Sequence, residues 1–165
     1  MSQTAYDYLD NPLPISSRLY AAEAVAAIDS AAQAAGRSSE QLMSRAAHVA
    51  LKELEAQFGS SQPLLVFCGG GKNGGDGYAL AALAAGRGRA VEVIELGEPA
   101  KFSQATAAAR QFAERAGAVL TAQTAADLDQ REGIVVDALL GTGASGALRG
   151  GYSEAVAWIN ACGLP

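Results

Sequence analysis

Residues 64–88 read LLVFCGGGKNGGDGYALAALAAGRG, and the fold turns on this stretch. An apolar run, 64–68, stops at six glycines interleaved with Lys72, Asn73 and Asp76. An alanine-rich segment follows and reads as a helix over 78–88. Unbroken apolar runs suit a parallel strand covered on both faces. Glycines let the backbone approach a ligand without a Cβ in the way and permit positive φ. A helix start offers unpaired N–H groups and a partial positive charge. The plain reading is a tight strand-to-helix turn. The sharper one is a cradle for an anionic ligand, with an ion beside it.

Outward from this junction the pattern repeats. AVEVIEL (90–96) reads as a second strand, KFSQATAAARQFAERAG (101–117) as a crossover helix and AVLTA (118–122) as a short strand. QTAADLDQREG (123–133) is helix or loop, and GIVVDALL (133–140) is another apolar strand, ending in GTGASG (141–146). GYSEAVAWINACG (151–163) closes the pattern as a helix.

On the N-terminal side, Asn11-Pro12 and Leu13-Pro14 disfavour helix, so residues 1–17 read as an extended arm. A first helix (18–36) presents Leu19, Ala22, Val25, Ala26 and Ile28 at near-helical spacing and ends at Gly36. Ser38 and Gln41 form a capping-box signature for a long helix that runs to Gly59. Leu42, Ala46, Val49, Leu54 and Phe58 mark its expected buried side. Alternating strands and helices predict an α/β fold: a Rossmann-like three-layer α/β/α sandwich with a mostly parallel central sheet. Ligands of such sheets sit beyond the carboxyl ends of the strands, where the crossovers reverse. Both glycine-rich loops follow strands at that edge.

A chain of 165 residues is one domain long, 1–165. Its net charge of −5 gives no electrostatic footprint for nucleic acid. Cys68 and Cys162 lack zinc spacing and read as small buried hydrophobes of a reducing compartment. The polar, acidic N-terminus has no signal-peptide pattern, and no run approaches the ~20 apolar residues of a membrane span. A soluble cytoplasmic protein is the expectation.

Gly69, Gly71 and Gly74 satisfy G-x-G-x-x-G, and Glu95 follows where a ribose-binding acid would sit. That pattern alone would suit an NAD-dependent dehydrogenase, but the length leaves no room for a substrate domain. No Gly-Lys-Ser/Thr completes a Walker A. Asp76 reads as a helix-start cap or as a group that meets ligand hydroxyls or moves a proton. Asp137 lies inside an apolar run, where a carboxylate is costly to bury unless it is paired, hydrogen-bonded or cation-bound. Gly141, Thr142, Gly143, Ala144, Ser145 and Gly146 form a second anion-receptive turn.

LVFCGGGKNGGDGYALA and VVDALLGTGASGALRG together resemble the NAD(P)H-hydrate epimerases, the YjeF N-terminal domain family, from about residue 18 onward. The resemblance implies interconversion of the R and S forms of NADHX and NADPHX, in nicotinamide-cofactor repair. It implies that Lys72, Asn73, Gly74, Gly75 and Asp76, with Gly141 to Ala147, bind the substrate. It implies potassium held by Asn73 and Asp137. Asp76, by its place at the end of the loop, is the available candidate for the catalytic acid/base, with the aspartate of the family's next motif, beyond Pro165, as the equal alternative. A homodimer and a fused or separate dehydratase are the implied partners. Lys72 departs from the family's usual Asn. The family continues into an Asp-x-Pro-Ser-Gly motif, whereas this chain stops at Pro165, so the resemblance implies truncation. The competing reading is a non-catalytic nucleotide-binding or scaffold module of the same fold.

Overall fold

The computed structural model describes residues 20–122, 128, 131–148 and 150–165. The proposed arm at 1–17, most of 123–130, and Arg149 lie outside the described residues. The elements run α1 (Ala22–Ala34), α2 (Ser39–Phe58), β1 (Leu64–Cys68), α3 (Lys72–Gly86), β2 (Val91–Glu95), α4 (Gln104–Arg115), β3 (Val119–Thr121), β4 (Ile134–Ala138) and α5 (Gly151–Ala161). A short 3-10 turn, Pro99–Lys101, precedes α4.

The four strands pair in the order β3-β2-β1-β4, all parallel. The β1–β4 register sets Phe67 opposite Asp137 and Cys68 opposite Ala138. The connections therefore run one way from β1 through β2 to β3, then jump back to β1's other side at β4. The ends of β1 and β4 flank the point where the crossover direction reverses, the place where open α/β sheets bind ligands.

Strand alternation divides the core. Leu64, Val66, Cys68, Val91, Val93, Ile134 and Ala138 pack with α2, α3 and α4. Leu65, Phe67, Ile94 and Leu139 pack with α5, where Trp158 lies against Phe67 at a ring separation of 5.5 Å. These are the three layers that the sequence implied. On β4's outer edge, Val135 N–H donates to Pro165 O (2.8 Å), so the exit from α5 returns alongside that strand.

Two helical faces differ from expectation. The capping box on α2 is present: Ser38 Oγ accepts from Gln41 N, and Gln41 Oε1 accepts from Ser38 N. The buried residues of α2, however, are Met43, Ala47 and Leu51, while Val49 and Phe58 are exposed. Alanine and the larger apolar residues occur on several stripes of this helix, so spacing alone misses the buried stripe by about a residue. The first helix buries none of its residues, and Tyr20, Val25 and Ile28 are exposed. Its apolar pattern therefore has no partner within the described chain. His48 is half-buried. No described helix is long and apolar enough to cross a membrane.

Candidate functional site

The main revision concerns α3. Sequence put the helix start near Tyr78, but it begins at Lys72 with Gly71 as N-cap. Helix propensity counts Gly74, Gly75 and Gly77 as breakers; close packing overrides it. A Cβ on Gly74 would strike the backbone of Gly69. A Cβ on Gly77 would lie 2.5 Å from Ala138 Cβ and 2.8 Å from Cys68 Sγ. These positions are glycine because α3 sits hard against β1 and β4. Gly71 differs: nothing lies within 4 Å of its Cβ position, so a ligand can reach the backbone there. The division matches the roles of the dinucleotide fingerprint, in which one glycine admits the ligand and another admits the helix.

No side chain caps α3. The first helical hydrogen bond runs from Gly75 N to Gly71 O, so the N–H groups of Lys72, Asn73 and Gly74 have no helical acceptor. Asp76 is consequently not a cap; it lies inside the helix. The N–H of Gly70 is already used: it donates to Tyr152 Oη at 3.1 Å. Tyr152, on α5, thus ties the first loop to the helix that follows the second.

The second loop leaves β4 beside the first. A Cβ on Gly69 would strike the carbonyl of Leu139, and a Cβ on Gly141 would stand 3.4 Å from Asn73 Cβ. Gly141 O accepts from Ala144 N (3.0 Å) in a tight turn. Leu140, Ala144, Ser145, Gly146, Ala147, Leu148 and Tyr152 enclose an open cavity of about 550 Å³. Thr142 and Gly143 lie within the same exposed turn. Asp137 is exposed rather than buried in the strand, and its Oδ1 accepts from Leu139 N at 2.9 Å. It sits at the strand end, where solvent and the turn relieve the burial cost anticipated from its apolar neighbours.

Lys72 and Asp76, one turn apart, do not line that cavity. They face a second one of about 390 Å³, walled by α1, α2 and the start of α4. Burial, and then the charge of Asp29, raise the Asp76 carboxyl to about 6.

Glu95 is withdrawn from any ribose-binding role. Its Oε1 accepts from Tyr78 Oη (2.8 Å), and both its oxygens accept from Arg110, at 2.5 and 2.9 Å. Its side chain is only 9% exposed. Burial and the hydrogen bond to Glu95 push the Tyr78 hydroxyl well above its usual pKa. This network joins α3, β2 and α4; the G-x-G-x-x-G match alone could not distinguish it from a ligand-facing acid. Cys68 is buried and free, and burial raises its thiol pKa; Cys162 is free and half-buried.

Residues 39–164 match the family described as YjeF-related protein N-terminus. The chain belongs to this family. Among the YjeF-related proteins it is similar to the bifunctional NAD(P)H-hydrate repair enzyme Nnr of Coxiella burnetii, at 35% identity over 145 residues, covering 88% of this chain and 30% of that protein. It is also similar to the NAD(P)H-hydrate epimerase of Nitrosopumilus maritimus, at 33% identity, with 72% of this chain and 57% of that one covered. The epimerase of Cereibacter sphaeroides is 36% identical, with 71% and 60% covered. The chain thus spans less than two thirds of each of these relatives. The crystal structure of yeast ynu0 superimposes with a TM-score of 0.74 at 18% identity, covering 86% of this chain and 64% of that one, which supports the fold.

Proposed function

We propose that this domain interconverts the R and S forms of NADHX and NADPHX, holding the pyrophosphate between the start of α3 and the 141–147 loop. The observation that carries the reading is the convergence of an uncapped helix N-terminus with a second glycine turn beside the crossover reversal. Helix N-termini bind phosphate through free N–H groups and the helix dipole. The similarity to NAD(P)H-hydrate epimerases supplies the substrate class.

The substrate carries a hydroxyl on the saturated carbon beside the nitrogen of a tetrahydropyridine ring, the hydrated form of the dihydropyridine. Protonation of that oxygen lets the C–O bond break, with its electron pair leaving on water. The ring nitrogen's lone pair forms the C=N bond of a planar iminium cation. Water adds to the other face and returns a proton to the acid/base. Asp76 is that group in this reading: a carboxyl raised to about 6 stays partly protonated near neutral pH. Turnover of R-NADHX tests it. Retention of the full rate by Asp76→Asn would remove Asp76 from the step.

Potassium fits the donor set in kind. Asn73 offers an amide oxygen and Asp137 keeps one carboxylate oxygen beyond its bond to Leu139, both hard donors. Among the described residues no group of three His, Cys, Asp or Glu could hold a metal ion, which speaks against a transition-metal centre. The ion would order the two loops. Equal rates in sodium and potassium buffer would exclude that role.

The exposed apolar residues of α1 support a homodimer face. Word of a bifunctional repair enzyme among the relatives supports a dehydratase, fused or separate, that consumes the product. The absence of a membrane-crossing helix among the described residues accords with a cytoplasmic setting.

A further inference from the structure

The three glycines before α3 are held in different ways. Gly69 N–H donates to Ala138 O (3.1 Å), and a Cβ on Gly69 would strike the carbonyl of Leu139, so β4 fixes this residue. Gly71 is the helix N-cap and stands in open space. Gly70, between them, donates its N–H to Tyr152 Oη (3.1 Å). We infer that Tyr152 is a positioning residue for ligand binding: by accepting from Gly70 it fixes the backbone that aims the free N–H groups of Lys72, Asn73 and Gly74. The assignment rests on the epimerase reading for the identity of the ligand and goes beyond it in naming what orders the loop.

Conformational freedom is the first support. Glycine loses more backbone entropy on ordering than any other residue, and here three stand in a row. A Cβ on Gly70 would lie 3.5 Å from Gly97 Cα and 3.7 Å from the Phe102 ring, which is ordinary contact, and Gly70 has no positive φ. Neither space nor backbone strain demands glycine at this position. Its freedom is therefore a cost that a specific bond has to offset.

The second support is where Tyr152 stands. It is the second residue of α5, and its ring packs with the cluster of Leu65, Phe67, Leu139 and Ala155. The hydroxyl reaches from that cluster to the first loop, 3.2 Å from where a Cβ on Gly69 would be. A stiff aromatic ring with a polar tip, seated on a packed helix, holds its oxygen at a defined point. The third support lies on the other side of Gly70. A Cβ on Gly97 would come within 2.6 Å of Gly70 Cα and 2.7 Å of Gly70 N. Leu96 N–H donates to Cys68 O (3.0 Å), which seats this connection beside the loop. The Gly70 backbone is thus confined between Gly97 and Tyr152.

Tyr152 also lines the cavity of the second loop. One side chain therefore borders one half of the cleft and sets the geometry of the other. Where the binding-competent conformation is only a fraction of the population, apparent affinity falls by that fraction. Loss of the hydroxyl lowers the fraction. Substrate and transition state share the same phosphate contacts, so the loss falls on KM rather than kcat.

Tyr152→Phe in the whole protein tests this, because it keeps the ring and removes the hydroxyl. ADP-ribose, which carries the pyrophosphate without the nicotinamide ring, is the probe for calorimetric titration. Amide hydrogen exchange reads Gly70 itself, and turnover of R-NADHX reads the reaction. Exchange at Gly70 should quicken, and ADP-ribose affinity should fall by about threefold to tenfold. KM for R-NADHX should rise by a similar factor, with kcat within about twofold of wild type. Gly70→Ala added to Tyr152→Phe should restore most of the lost affinity by restricting the loop, a rescue that a purely structural hydroxyl would not show. Gly97→Ala disturbs Gly70 from the opposite side without touching α5; it should also weaken ADP-ribose binding, and it serves if Tyr152→Phe does not fold. Wild-type affinity and KM in the folded Tyr152→Phe protein, or wild-type affinity in folded Gly97→Ala, overturn the inference. A loss that Gly70→Ala does not repair overturns it too, by making the hydroxyl a direct ligand contact. A wild-type protein that binds ADP-ribose but leaves R-NADHX unchanged overturns the epimerase reading alone.

Discussion

Asn73 and Gly141 meet across the rim of the sheet: a Cβ built on Gly141 stands 3.4 Å from Asn73 Cβ. They belong to loops that leave neighbouring parallel strands, β1 and β4. A methyl at position 141 would make ordinary contact with α3's first turn, so it takes a bulkier side chain to narrow the cleft. Gly141→Val should therefore weaken ADP-ribose binding by about tenfold with little loss of stability, since position 141 is exposed. Calorimetric titration beside thermal melts separates the two effects.

The glycines of the first loop should split into two classes. Gly69→Ala and Gly74→Ala drive a methyl into backbone and should cost about 1–3 kcal/mol or more. Gly71→Ala meets open space and should leave stability nearly unchanged. Urea denaturation of the three variants checks this ordering.

Asp76 makes stability fall as pH rises. Its carboxyl is raised from an ordinary value of 3.8 to about 6 in the folded chain, so the folded state binds more protons than the unfolded state. Its contribution is fully present below pH ~4 and is lost as pH rises through about 6. Asp76→Asn should flatten that segment of the stability curve and make the protein more stable than wild type at pH ~8. Denaturation midpoints between pH 4 and 8 measure it; a midpoint for Asp76→Asn that falls in parallel with wild type contradicts the assignment.

Removing Arg110 from the half-buried Glu95–Arg110 pair leaves Glu95 with Tyr78 as its remaining partner. Arg110→Met should destabilise by about 1.5–3 kcal/mol. ADP-ribose affinity should hold in whatever fraction remains folded, because Glu95 faces Tyr78 and Arg110 rather than the cleft. A specific loss of affinity would restore Glu95 to the ribose-binding role that its position in sequence suggested.

The sheet was legible in the sequence because its signals are local. The continuous apolar run at 64–68, which stops at glycines, and the run at 134–140, broken only by Asp137 before Gly141, leave few alternatives to buried parallel strands. The start of α3 was not legible. Three of its first residues are glycines whose helical state is imposed by β1, β4 and Met43, which sequence spacing does not reveal. The site was half legible. Its loops announce themselves by composition, but only packing shows that Asn73 and Asp76 serve different faces of one helix turn. The bond that Tyr152 accepts from Gly70 N–H joins residues 82 positions apart, which no local pattern reveals. Glu95 misled because a strand-end acid looks the same in sequence whether it faces a ligand or an arginine.

The central claim is that the α3 N-terminus and the 141–147 loop hold one pyrophosphate together. Amide NMR of the labelled protein during an ADP-ribose titration tests it most directly. The account predicts saturable shifts, with a single affinity, at Lys72, Asn73 and Gly74 and across Gly141 to Ala147. Shifts confined to one loop, or saturating at different concentrations in the two, would contradict it.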